Sequence, residues 1–175
     1  ALHRLGARIR LDEGGRIYHI DVKEYQVNAG ALREFAAYPA LRELELNDHP
    51  LTADELDALG LLVGVRELHL HDVGLTDQGL KSLSRLRDLE YLCLLNTETR
   101  GDGLAQLKGL PKLETLVLDV PDVARLPAHF AALKSWKAVR GLFLDRSGAT
   151  GDSLQGLDRL KQIERLGLEA NPLRD

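Results

Sequence analysis

A right-handed α/β solenoid, each turn a short strand followed by a short helix, is predicted by three features of the sequence. An apolar pattern recurs at a fixed interval, a second apolar column runs in register with it, and turn and capping residues fall between the two. The first column has the form L-x-x-L-x-L. It stands at Leu41, Leu44 and Leu46, and returns at Val65, Leu68 and Leu70, at Leu89, Leu92 and Leu94, and at Leu113, Leu116 and Leu118, in steps of 24 residues. It follows at Val139, Leu142 and Leu144 after 26 residues and at Ile163, Leu166 and Leu168 after 24. Counting 24 back from Leu41 gives a weaker copy at Ile17, Ile20 and Val22, making seven copies, the last cut short at Asp175. The L-x-L part alternates, which is the signal of a strand.

The second column pairs apolar residues three apart: Leu32 with Phe35, Leu56 with Leu59, Leu80 with Leu83, Leu104 with Leu107, Phe130 with Leu133, and Leu154 with Leu157. A third member follows at Tyr38, Leu62, Leu86, Leu110, Trp136 and Leu160. That spacing puts them on one face of a short helix. Thr52, Thr76 and Thr150 stand where helix N-caps are wanted, and Thr52 with Glu55 has the spacing of a capping box. Asp54, Asp77, Asp102 and Asp152 place negative charge in first turns, against the helix dipole. Pro39 and Pro111 come just after helices, where they interrupt no hydrogen bond.

One such unit cannot bury its own leucines. Stacking turns each column into a continuous ladder and lets each strand pair with its neighbours in a parallel sheet. Strands about 4.8 Å apart give a sheet roughly 30 Å wide over the repeats. An ordinary α/β domain does not keep a fixed period with matched columns.

These residues resemble the leucine-rich repeat family, and the likeness covers Ile17 to Asp175. The family pattern L-x-x-L-x-L-x-x-N-x-L is complete at Ile163 to Leu173, with Asn171 in the asparagine slot. Elsewhere that slot holds His49, Val73, Thr97, Pro121 and Ser147, so most of the usual asparagine ladder is missing. The segments Leu51–Leu56 and Leu75–Leu80 look like the L-T-D-x-G-L units of bacterial leucine-rich repeat proteins. Leu126-Pro127 with Phe130 and Leu133 resembles the L-P-x-x-x-x-x-L form and carries the two extra residues. The resemblance implies an arc with a concave parallel sheet, and a protein-binding role. It does not identify a ligand.

The division expected is an N-terminal cap over residues 1–16 and a leucine-rich repeat domain over 17–175, its units starting near 17, 41, 65, 89, 113, 139 and 163. Leu2 and Leu5 read as the end of a helix. Ala7 to Asp12 alternates, Glu13-Gly14-Gly15 is a turn signal, and Arg16 to Val22 is the first repeat strand. Together these form a β-hairpin whose outer strand covers the open sheet edge. No C-terminal cap is visible after Asn171-Pro172-Leu173. The chain contains no methionine, so it reads as a processed product or a piece of something longer.

Composition narrows the function classes. The chain is 44% hydrophobic and 29% charged with a net charge of −4, which argues against nucleic acid as the main partner. The single cysteine, Cys93, permits no internal disulfide and is compatible with a reducing compartment such as the cytoplasm. No stretch is long and apolar enough to span a bilayer. A monomer is expected in isolation.

Residues between the leucines point to the concave face. There the first half is acidic and histidine-rich, with Glu43, Glu45, Glu67, His69 and His71, and the middle holds Tyr91, Cys93, Leu95, Val117 and Phe143, with Asp119 nearby. The aromatic and aliphatic group is read as an exposed partner-binding patch, and its acidic neighbours as a charge-selective rim. His69 and His71 with Glu45 on the neighbouring strand offer a set that could bind zinc, although no Cys pair and no H-E-x-x-H accompanies them. No catalytic motif is present, Cys93 and His69 lie on a predicted diagonal without an orienting partner, and no cofactor is implied. The expected function is a protein–protein interaction module, with a structural spacer inside a longer protein as the alternative.

Overall fold

The computed structural model describes residues 2–23, 27–99, 101–119 and 122–173. The Asp102 side chain, Pro121 and Asp175 lie outside the described residues. Eight strands form one sheet in chain order: β1 Arg8–Leu11, β2 Ile17–Lys23, β3 Glu43–Asn47, β4 Glu67–His71, β5 Tyr91–Leu95, β6 Thr115–Leu118, β7 Gly141–Phe143 and β8 Arg165–Gly167. The first pair is antiparallel and every later pair is parallel. Strand β1 thus covers the edge of β2, and a 3-10 turn at Leu2–Leu5 precedes it.

The leucines behave as the period demands. Ile20, Leu44, Leu68, Leu92, Leu116 and Leu142 are direct cross-strand partners, and each is fully buried. The next rung, Leu166 on β8, has no following strand among the described residues and is 44% exposed. Burial of each rung therefore depends on a neighbouring repeat, as the physics of a solenoid requires. Across β6 and β7 the pairing stays in register, Leu116 against Leu142. The two extra residues are absorbed in the stretch leading to the helix, where Leu126 is buried and Pro127 occupies the first helical turn.

The helical side changes along the chain. Helices α1 Ala29–Phe35, α2 Ala53–Leu59 and α3 Asp77–Leu83 have seven residues each. Helix α4, Gly101–Leu104, passes into a 3-10 turn, and α5 spans Leu126–Leu133. The sixth unit, expected to hold a helix, has only 3-10 turns at Asp152–Leu154 and Leu157–Arg159. Gly156 lies between them at φ +91°, and a left-handed residue cannot continue a right-handed helix.

The capping residues divide in the same way. Thr52 and Glu55 form a complete capping box, with the Glu55 carboxylate accepting from the Thr52 N–H at 2.7 Å and from its hydroxyl at 2.9 Å. Thr76 occupies the N-cap position of α3, but its side chain makes no capping bond. At Thr150 the backbone is engaged instead, its N–H donating to Ser153 Oγ at 2.8 Å. Asn28, which the leucine pattern does not flag, caps α1 by accepting from the Ala31 N–H at 2.9 Å.

A left-handed residue follows the strand in unit after unit: Asp48, Asp72, Asn96, Arg146 and Ala170, with φ between 48° and 57°. This conformation aims backbone N–H groups at the next repeat. Asp48 donates to His71 O at 3.0 Å, Asp72 to Leu95 O at 3.1 Å, and Arg146 to Glu169 O at 2.8 Å. Asp and Asn tolerate the left-handed region, whereas Arg146 and Ala170 hold it at a cost. In the asparagine slot, Asn171 donates to Leu144 O and Leu168 O and accepts from the Ala149 N–H. Ser147 donates to Leu144 O, Thr97 pairs with Thr99, His49 Nε2 lies 3.4 Å from a Glu55 oxygen, and Val73 is buried. Among the described residues the asparagine slot is thus filled differently from turn to turn, by polar side chains at His49, Thr97 and Ser147 and by a buried apolar one at Val73.

Three stability outcomes are expected. Leu92→Ala, in the middle of the ladder, should lower unfolding free energy by about 3 kcal/mol in urea denaturation. Arg146→Gly should raise it by up to about 1 kcal/mol by relieving the left-handed backbone. Burial alone would push the Glu55 carboxyl up, but the Thr52 N–H and hydroxyl and the nearby His49 hold it below 4.5. A lowered carboxyl contributes stability above its unfolded value and loses it as pH falls through the folded one. Glu55→Gln should therefore cost about 1 kcal/mol at pH 7, and the deficit should shrink as the pH of the denaturation series drops below 4.5.

Candidate partner-binding face

Strand alternation leaves the non-leucine positions on the sheet face away from the helices. Parallel pairing lines them up in rows. One row reads His19, Glu43, Glu67, Tyr91, Thr115, Gly141 and Arg165, and the next reads Asp21, Glu45, His69, Cys93, Val117, Phe143 and Gly167. A shorter row holds Lys23, Asn47, His71 and Leu95. Charged residues and histidines dominate the rows on β2 to β4 and apolar or small ones on β5 to β7, with Arg165 returning a charge on β8. Asp119 lies just past β6, beyond the paired residues.

Much of the acidic half is internally satisfied. The buried His19 ring has Nδ1 3.0 Å from Glu43 and Nε2 3.8 Å from Glu45. Asp21 meets Arg8 of β1 at 2.9 Å and accepts from Asn47 Nδ2 at 3.2 Å. Glu67 sits next in the row, between Glu43 and Tyr91. Desolvation on the sheet, with Glu43 and Glu90 beside it, pushes its carboxyl above the usual range.

The predicted apolar patch needs correcting in degree. Tyr91, Leu95, Val117 and Phe143 reach the face half-buried rather than fully exposed, and Cys93 is 4% exposed. Close packing across the sheet is the reason. Phe143 lies over Gly167, where an added Cβ would meet its ring at 2.4 Å, and its far edge approaches the Cβ position of Gly141. Arg165 crosses Gly141 to donate to Thr115 Oγ1 at 3.0 Å. The two glycines thus let large side chains lie flat on the sheet.

Cys93 also has a different neighbour from the one expected. His69 stands directly opposite it in the register, and the diagonal residue is His71. The Cys93 sulfur lies 3.5 Å from His71 Nε2, and the donor atoms of His69, His71 and Cys93 all fall within 4.8 Å of one another. The third member of the histidine cluster is therefore Cys93, not Glu45, among the described residues. The His69 ring contacts that of Tyr91 at 4.9 Å between centroids. Burial lowers the His69 pKa, with Glu45 opposing that shift. Burial pushes the Tyr91 hydroxyl up to about 12 and the Cys93 thiol up to about 11. A thiol so raised is protonated at neutral pH, the unreactive form.

One apolar feature lies off this face and was not foreseen. Leu61 and Val63, 50% and 56% exposed in the turn after α2, border a crevice of about 200 Å³ with Phe35 at the end of α1 and Tyr38 and Pro39 just beyond it. The signal was present in the repeat alignment. The corresponding positions Arg85 and Arg87, and Ser135 and Lys137, are polar in other units. Among the described residues, no helix is long and apolar enough to cross a membrane.

No protein-family model matches the chain, and no curated protein sequence does. Solved structures do resemble it. The crystal structure of PEPR1–AtPEP1 is matched over 94% of this chain and 23% of that one, at 17% identity and a TM-score of 0.52. The C-terminal domain of Caenorhabditis elegans tropomodulin is matched over 77% of this chain and 89% of that domain, at 14% identity and a TM-score of 0.53. An internalin, inlF of Listeria monocytogenes, is matched over 90% and 56%, at 16% identity and a TM-score of 0.45. The chain spans less than a quarter of the PEPR1 chain. At such identities the likeness is one of fold. With its sequentially ordered, mostly parallel sheet, its largely 24-residue register and its resemblance to the leucine-rich repeat structure of PEPR1, the chain has the fold of an α/β leucine-rich repeat solenoid.

Proposed function

We propose that this domain is a protein-interaction module that receives its partner on the open face of the sheet and carries out no reaction of its own. The observation that supports this most is the strip of Tyr91, Leu95, Val117 and Phe143, half-exposed on adjacent strands β5 to β7. Aromatic side chains on a rigid floor give large contact area at small entropic cost, as binding anchors do. Glu67 and Asp119 border the strip, Glu43 and Glu45 stand one strand further out, and together they would favour a partner with a basic contour. Cys93, on the same face but covered by its neighbours, packs within the strip rather than touching the partner. His69 and His71 form the boundary between its acidic and apolar parts.

Affinity capture from lysate of the source cell, with wild type beside a Tyr91→Glu, Phe143→Glu double variant, tests this reading. Placing two charges in the contact should reduce capture at least about tenfold, since each buried anchor is worth on the order of 2 kcal/mol. Circular dichroism of the variant checks that the solenoid is intact. Equal capture by a folded variant would move the site off this face, and no capture by either protein would favour a spacer role.

A further inference from the structure

We propose that His69, His71 and Cys93 form a binding site for one divalent zinc-class cation on the open face of the sheet. The register makes the site. Parallel pairing sets His69 of β4 opposite Cys93 of β5, and His71 lies two residues further along, so all three side chains leave the same face. Their donor atoms lie within 4.8 Å of one another. In a tetrahedral zinc site, with Zn–S about 2.3 Å and Zn–N about 2.0–2.1 Å, sulfur and nitrogen stand about 3.6 Å apart and two nitrogens about 3.3 Å apart. The Cys93–His71 separation of 3.5 Å is already that edge. The rest requires movements of at most about 1.5 Å, within reach of side-chain rotation.

The donors select the metal class. One sulfur and two imidazoles suit zinc and disfavour the oxygen-seeking magnesium and calcium. The same pair of histidines and a cysteine also serves copper when a weak axial donor is added. Glu45 stands opposite His69, on the side away from Cys93, where its charge favours a cation. The Tyr91 ring against His69 restricts the imidazole, as outer-shell contacts do in metal sites. When the sulfur–metal bond forms, the S–H bond breaks and its proton passes to solvent, the cation then compensating the buried thiolate. Three protein ligands leave one coordination position for water.

The experiment uses the full chain, chelator-treated and kept reduced, and titrates it with Co²⁺ as a spectroscopic substitute for zinc. The expected result is one Co²⁺ per chain, with a thiolate-to-cobalt charge-transfer band in the near ultraviolet and intense visible bands of a four-coordinate ion, both removed by equimolar Zn²⁺. Cys93→Ser should abolish the charge-transfer band, and His69→Gln or His71→Gln should weaken Zn²⁺ binding by at least about tenfold. Circular dichroism of each variant, with Cys93→Ala as a second cysteine variant, separates loss of ligand from loss of fold. Absence of the band and of stoichiometric metal in reduced wild type would overturn the proposal, and that readout needs no variant to fold. Binding unchanged in folded Cys93→Ser and His71→Gln proteins would overturn it as well. The metal readouts leave Tyr91 and Phe143 unchanged, so failure of metal binding and failure of partner capture are read separately.

Discussion

No repeat of this protein can bury its own leucines, and the rest of the structure follows from that constraint. A strand of five residues and a helix of seven have too little apolar surface to make a core alone. Identical units stacked in register turn Leu44, Leu68, Leu92, Leu116 and Leu142 into one ladder without solvent contact. The hydrophobic term then acts between neighbours, so every unit must keep the same rise and the same strand register. The two-residue insertion in the fifth unit is tolerated because it falls between strand and helix and leaves the pairing of β6 with β7 untouched. The left-handed residues after the strands serve the same end, aiming N–H groups at the adjoining repeat.

Register also decides what the open face can do. Alternation removes the leucines from it, and parallel pairing sorts what remains into rows. Charged residues that would be costly half-buried are matched at close range, His19 by Glu43 and Glu45, Asp21 by Arg8 and Asn47. Toward the C-terminal end, glycine enters the rows and large side chains lie down across it, Phe143 over Gly167 and Arg165 over Gly141. Between these zones the histidines and the cysteine converge. Partner binding and metal binding would thus use adjacent parts of one surface, with Tyr91 belonging to both.

The helical side obeys weaker rules. Its apolar pairs remain buried in most units, but the backbone between them varies from seven-residue α-helices to 3-10 turns. A helix of that length has little intrinsic stability, and its shape follows local glycine and capping chemistry once the apolar pair is docked. The complete box at Thr52 and Glu55 and the left-handed Gly156 mark the two extremes.

The fold was legible in the sequence because a period is a one-dimensional property. Residues 24 apart must meet if each unit is to bury its leucines, so strand order, parallel pairing and the membership of the open face could be read by counting, while the hairpin at β1 showed in its alternation and its glycine turn. Capping was legible where two residues carried it, as at Thr52 and Glu55, and not where geometry alone decided, as at Thr76 and Thr150. Exposure was legible only in direction. Counting places Cys93 and Phe143 on the face, but their burial depends on how neighbouring side chains lie across glycines. The partner of His69 and His71 was likewise a matter of three dimensions: Glu45 and Cys93 are equally near in sequence period, and only the side-chain directions bring the sulfur, at 3.5 Å from His71, into the cluster. Period determines which backbones adjoin. Packing determines which atoms touch.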